Sequence, residues 1–155
     1  MCSAANVHII QEKGRAMNDW VVKTIVLGYD GSEGANRALE LAAHIARRDG
    51  ARVVVVSAYQ LGSPDTDGYK WARLRDEAAE VAQKAVDDLQ AVGVEAELEV
   101  PGGVAETVLL EVVESREADL IVVGRRGQGL IAGLLLGSTS EYVVRRAEVP
   151  VLVAH

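Results

Sequence analysis

Apolar residues along this chain fall into two alternating kinds of stretch, short runs rich in β-branched residues and longer segments with a three- and four-residue repeat. Val21 to Leu27 is a run of the first kind that stops at Gly28 and turns through Asp30, Gly31 and Ser32. From Gly34 to Arg48, Ala35, Ala38, Leu39, Ala42, Ile45 and Ala46 mark one face of a helix, and Gly50 supplies its stop. Val53 to Val56 is continuous rather than alternating, as expected of a strand covered on both faces. Trp71, Leu74, Ala78, Val81, Ala85 and Leu89 predict a long amphipathic helix that ends near Gly93. Val94, Ala96, Leu98 and Val100 alternate with Glu95, Glu97 and Glu99, a period of two with one wet face that predicts an edge strand, ended by Pro101-Gly102-Gly103. A third helix is predicted over Val104 to Arg116, a fourth strand over Asp119 to Val123, a fourth helix over Ser138 to Arg146 and a fifth strand over Pro150 to Ala154.

Strict alternation of strand and helix, joined by right-handed crossovers, predicts an α/β fold: an open, five-stranded, mainly parallel sheet with helices on both faces. Residues 19–155 form one domain in this reading, with no second domain and no internal repeat. Residues 1–18 lack a clear period and are expected to be a flexible N-terminal arm outside the fold. The stretch from Leu61 to Gly68, containing Gly, Ser, Pro and Asp, reads as a loop placed where it can act as a lid.

Composition narrows the classes of function. A chain of 155 residues with 49% apolar and 25% charged residues is an ordinary globule. It is long enough to bury roughly 70% of the surface its unfolded form exposes. No stretch approaches the ~20 consecutive apolar residues that span a bilayer, so no membrane role is expected. The formal charge of −7 argues against a nucleic-acid binder, which needs a basic surface. Cys2 is the only cysteine, so there is no disulfide framework and no cysteine metal cluster. With no apolar secretion-signal core at the N-terminus, the expected compartment is the cytoplasm.

The chemistry concentrates around the fourth strand. Gly124-Arg125-Arg126-Gly127 follows it, and after nine intervening residues comes Gly137-Ser138-Thr139-Ser140 at a helix start. Glycines let the backbone approach an anion closely, and the free N–H groups of a helix N-terminus favour negative charge. If the winding of the sheet reverses between the first and fourth strands, the Asp30 loop is the neighbour of this cradle. Asp30 could then accept hydrogen bonds from ribose hydroxyls or assist a phosphate-bound cation, and Arg125 or Arg126 could donate to phosphate. Plainer roles compete. Asp30, two residues before Ser32, also fits a turn or cap, and Ser138 with Glu141 fits a capping box, although a cap can bind phosphate too. His8, His44 and His155 lie apart and suggest no triad, and neither catalytic residues nor metal ligands are assigned. The chain has no G-x-x-x-x-G-K-[ST] loop, and no lysine lies between Gly124 and Ser138.

Ile25-Val26-Leu27-Gly28-Tyr29-Asp30-Gly31-Ser32, the Gly124/Gly127/Gly137-Ser138 pattern and the closing Val149-Pro150-Val151-Leu152-Val153 occur in the order found in the universal stress protein family, and the chain resembles its ATP-binding branch from about Lys23 to Ala154. The resemblance implies strand order 3-2-1-4-5 and a nucleotide held between the first and fourth strand ends. It implies Asp30 on the ribose side and the backbone at Ala58 near adenine. Val123 and Gly124 would border ribose and phosphates, with Gly127, Gly137, Ser138 and Thr139 around the phosphates; Arg126 is a candidate phosphate donor by its charge and not by the resemblance. Arg125-Arg126 departs from the small or polar residues frequent in the family after Gly124, and Gly28-Tyr29 stands where some relatives have Pro-Thr.

The expected function is that of a cytoplasmic ATP-binding universal stress protein. ATP, with Mg2+ or another divalent cation bound through its phosphates, would alter the lid and dimer surfaces and so regulate a protein partner. A homodimer through Val149–Ala154 is expected, because an apolar terminal strand with unpaired backbone groups invites pairing across a two-fold axis. The alternatives are an ATPase or nucleotidyl-transfer enzyme using the same phosphate cradle, and a purely structural interaction module with an empty pocket.

Overall fold

The computed structural model describes residues 20–60, 68–125 and 136–155. The expected arm and most of the candidate lid, residues 61–67, lie outside the described residues, as do Arg126 and Gly127. Five strands and four helices alternate: β1 (Thr24–Gly28), α1 (Glu33–Asp49), β2 (Arg52–Val56), α2 (Gly68–Ala91), β3 (Ala96–Glu99), α3 (Ala105–Ser115), β4 (Leu120–Gly124), α4 (Ser138–Arg146) and β5 (Val151–Ala154). The sheet order is β3-β2-β1-β4-β5, and every pairing is parallel.

The three inner strands read as unbroken apolar runs because both of their faces are covered. Ile25 and Leu27 join a cluster under α1 and α2, while Val26 points into a second cluster under α3 and α4. Val53 and Val55 against Val54 divide in the same way. Burial of such a side chain contributes roughly 1.5–3 kcal/mol, so the sheet centre dominates the hydrophobic stabilisation. The buried face of α1 is mostly alanine, Ala35, Ala38, Ala42 and Ala46 with Leu39. Small side chains bring that helix close to the sheet, where it packs on β1 and β4 and reaches β5.

Local signals set the helix ends. The Ser32 hydroxyl accepts from the Ala35 N–H at 3.2 Å and caps α1, and Gly50 ends it with its N–H bonded to the Ala46 carbonyl. The strand expected from Val21 begins only at Thr24, and side-chain carboxylates take the amides at its start. The Val22 N–H donates to Asp49 at 3.2 Å, and the Lys23 and Thr24 N–H groups donate to Asp119 Oδ2 at 2.8 and 3.0 Å. Asp119 thereby ties the start of β4 to β1.

The alternating segment is an edge strand, β3, but its glutamate face is not simply wet. Glu97 and Glu99 are half-buried and both pair with Arg116, which follows α3. Among the described residues no helix is long and apolar enough to cross a membrane.

Candidate functional site

A parallel sheet collects its strand ends and the helix N-termini on one rim. Here β1 is followed on one side by β2 and bordered on the other by β4, so the connections leave β1 and β4 in opposite directions and open a crevice. A cleft of about 270 Å3 lies at that point. Val56 and Ala58 line it from β2, and Ala105 and Leu109 from the start of α3, with Leu109 set over Gly28 beside Val123. From β4 and the start of α4 it is lined by Val123, Gly124, Gly137, Ser138, Thr139 and Ser140, an apolar side chain followed by backbone and hydroxyl groups. Tyr29, Asp30 and Ser32, which follow β1, lie between them in the order of strands.

Asp30 is half-buried, and its Oδ1 accepts the Ser32 N–H at 3.0 Å. The plainer role of Asp30 as a turn former is therefore real, and it coexists with a place in the cleft wall. Tyr29 is buried; its hydroxyl donates to Asn36 Oδ1 at 2.7 Å. Burial pushes the Tyr29 phenol above its ordinary range, Lys84 opposes the shift, and Asp88 and Asp30 add to it.

Gly124 and Gly137 do different physical work. A Cβ on Gly124 would sit 2.5 Å from the Gly34 carbonyl carbon and 2.9 Å from the Ala35 nitrogen. The glycine is thus demanded by the approach of the first turn of α1 to the end of β4. Gly137 is the N-cap of α4 at φ −72° and ψ 161°, an extended conformation open to any residue. The capping box expected from Ser138 and Glu141 does not form. Ser138 is the first helical residue, no side chain caps the helix, and Glu141 pairs with Arg145 at 2.9 Å. The amides of this first turn are consequently left to other acceptors, beside a cleft lined by Ser138 and Thr139. The N-cap of α3, Val104, likewise makes no side-chain cap bond, and Ala105 also lines the cleft.

Ser140 is buried, with its hydroxyl 3.0 Å from the Arg125 carbonyl and 2.9 Å from that of Gly137. The Gly137 N–H also donates to the Arg125 carbonyl at 2.8 Å, so the end of β4 and the start of α4 are stitched together. Arg125 does not line the cleft; its Nη1 is 3.4 Å from His155 Nδ1. Among the described residues lining the cleft, Asp30 is the only one with a charged side chain. Among the described residues no group of three His, Cys, Asp or Glu side chains could hold a metal.

The structure brings Asp30, Ala58, Val123, Gly124, Gly137, Ser138 and Thr139 to one cleft. Tyr29, Ala105, Leu109 and Ser140 join them without having been singled out. Ser140 was within reach of the sequence, since it closes the Gly-Ser-Thr-Ser run. Ala105 and Leu109 were not, because nothing local says that the start of α3 returns to β1.

Fold and cleft together define an open, doubly wound α/β domain with a crevice at its topological switch point. The chain belongs to the universal stress protein family, whose sequence model matches residues 22–155. It is 41% identical over 136 residues to a universal stress protein of Thermus aquaticus, covering 84% of this chain and 97% of that one. It is 36% identical over 146 residues to universal stress protein Rv1636 of Mycobacterium tuberculosis, covering 86% and 96%. Among solved structures it is similar to a universal stress protein crystallised in complex with cAMP, at 32% identity and a TM-score of 0.71, covering 88% of this chain and 99% of that one.

Proposed function

We propose that this chain is an ATP-binding universal stress protein, a nucleotide-dependent regulatory module of the cytoplasmic stress response rather than a dedicated enzyme. The observation that carries the reading is the polarity of the switch-point cleft. Val56, Ala58, Ala105, Leu109 and Val123 give it apolar walls, as a base requires, and the start of α4 gives it backbone amides and hydroxyls, as phosphates require. The relative crystallised with cAMP supports an adenine nucleotide. Asp30 would hold the ribose hydroxyls, Ala58 would border adenine, Val123 and Gly124 the ribose and phosphates, and Gly137, Ser138 and Thr139 the phosphates, with Arg126 and Gly127 contributing from outside the described residues. Because the charged side chain that the described residues bring to the cleft wall, Asp30, is itself an anion, Mg2+ or another divalent cation bound through the phosphates would offset the charge of ATP together with Arg126. The proposed homodimer uses Val149–Ala154.

The test is calorimetry with ATP and Mg2+, together with identification of the nucleotide released from freshly purified, denatured protein. Gly137→Val suits it better than a change at Gly124, since the φ and ψ of Gly137 are extended and open to a β-branched residue, whereas a Cβ at Gly124 collides with the backbone of α1. The variant should fold and lose ATP affinity. Asp30→Ala should weaken ATP while sparing tripolyphosphate. Wild-type-like ATP binding by Gly137→Val would remove the α4 start from the site. Sustained hydrolysis at about 1 s⁻¹ or faster, abolished by a cleft mutation, would favour the enzyme reading, since that rate is the low end of ordinary turnover.

A further inference from the structure

Beyond the last residues of β2 and β3 the two chains stay joined. The Ser57 N–H donates to the Glu99 carbonyl at 3.0 Å and the Tyr59 N–H to the Pro101 carbonyl at 3.2 Å, and the Gly103 N–H returns to the Tyr59 carbonyl at 2.9 Å. Tyr59 and Gly102 form a parallel bridge of their own, outside the named strands. The Tyr59 ring lies directly against Gly102: a Cβ there would be 2.8 Å from both Cζ and the hydroxyl oxygen. No other side chain than glycine's hydrogen leaves room for this contact without displacing the ring.

The clasp joins two segments that lead straight into the cleft. Ala58 immediately precedes Tyr59, and Ala105, the first residue of α3, follows Gly102 by three positions; both line the cleft, and neither Tyr59 nor Gly102 does. Two small residues on separately mobile loops would leave a slot of undefined width. Two backbone bonds and a ring packed on glycine hold the loops in one relation instead, and preorganised width is what lets a shallow apolar slot discriminate among flat ligands.

We propose that Tyr59 and Gly102 are positioning residues that set the width of the base slot between the Ala58 and Ala105 segments, and so select a planar heteroaromatic base independently of the phosphate end. The inference rests on the nucleotide-binding reading above. It separates the two ends of the site: the clasp acts on the base, α4 acts on the phosphates.

The experiment measures binding of ATP and of tripolyphosphate, each with Mg2+, to the full chain by calorimetry, with thermal melting of each variant. Gly102→Ala and Tyr59→Ala should each weaken ATP roughly tenfold, the factor that corresponds to about 1.4 kcal/mol of binding free energy, and leave tripolyphosphate unchanged. The double variant should be no weaker than the weaker single one, because both changes open the same clasp. Tyr59→Phe, which keeps the ring, should bind as wild type does. If Gly102→Ala fails to fold, Tyr59→Leu, which keeps apolar bulk without the ring, carries the same expectation. Parallel loss of ATP and tripolyphosphate would show a merely structural role, and unchanged ATP affinity in Tyr59→Ala would remove the clasp from the site. Wild-type protein that binds no ATP would overturn the nucleotide reading itself, and the clasp proposal with it; the wild type answers the first question and the variants the second.

Discussion

The two edges of the sheet are both four-residue strands paired on one side, and they are finished in opposite ways. In β3 the Val53 N–H bonds to the Glu95 carbonyl and the Ser57 N–H to the Glu99 carbonyl, so the parallel alternation turns the backbone groups of Ala96 and Leu98 outward. The outward Ala96 carbonyl accepts Gln90 Nε2 at 3.1 Å, and Glu97 and Glu99 stand beside it under Arg116. In β5 the Ile121 N–H bonds to the Pro150 carbonyl and the Arg125 N–H to the Ala154 carbonyl, which turns Val151 and Val153 outward. The side chains there are Val151, Leu152 and Val153, all half-buried and all apolar. Charges and a side-chain amide blunt the first edge, and the second keeps what strand pairing needs. The difference teaches that edge protection, not strand length or topology, is what sets the two edges apart.

The largest expected effect comes from breaking the β5 side of that contrast. Val151→Pro and Val153→Pro each remove an outward amide while leaving the ladder to β4 in place. Both variants should shift the protein from dimer to monomer in sedimentation at micromolar concentration, with ATP affinity per chain retained. Wild-type protein that is already monomeric there, with and without ATP, would refute the β5 interface. So would two proline variants that sediment as wild type does.

The opposite manipulation opens the β3 edge. Glu97→Val with Glu99→Val removes the charged face and releases Arg116, giving the strand the composition of β5. Species larger than the wild-type assembly should then appear and grow with concentration, because a chain with two competent edges can propagate beyond a closed pair. An unchanged sedimentation profile would mean that the glutamates do not guard the edge and that Gln90 suffices.

Much of this architecture was legible because hydrophobic period reports burial directly. Val53 to Val56 had to be covered on both faces, and α4 spans Ser138–Arg146 as its pattern predicts. The strand order came from the family resemblance, since alternation alone leaves it open; the switch-point rule made the Asp30 and Gly124 loops neighbours on the condition that the winding reverses between the first and fourth strands. Contacts between distant side chains were illegible. Glu97 and Glu99 carry a polar signal identical to that of a solvated face, and only the fold brings Arg116 onto them. Gly124 reads as a residue for anion approach, and its sequence gives no sign of the second demand on it, that the backbone of Gly34 and Ala35 takes the place of a Cβ. Ser138 and Glu141 had capping-box spacing, but the helix starts one residue earlier than that box requires, with Gly137 as its cap. A local motif fixes residue types, and the position of the first helical turn decides which of its jobs is done.

The smallest effect sharpens the comparison from the β3 side. Arg116 Nη1 is 3.0 Å from Glu97 Oε1, and the guanidinium also bonds to Glu99. The three side chains are 34%, 44% and 25% exposed, so water screens the attraction and the whole cluster should contribute only about 1 kcal/mol. Arg116→Ala removes that attraction and leaves two carboxylates on one face of the strand, two residues apart. Melting should fall by a few degrees at low salt, and the gap from wild type should narrow near 1 M salt, where the screening length is about 3 Å. Oligomeric state should not change, because the two negative charges that blunt the edge are still present. This separates the two roles of the cluster: the arginine stabilises, while the glutamates exclude pairing. A shift in assembly on Arg116→Ala would show that the arginine itself guards the edge, and a salt-independent loss would show that its aliphatic stem matters more than its charge.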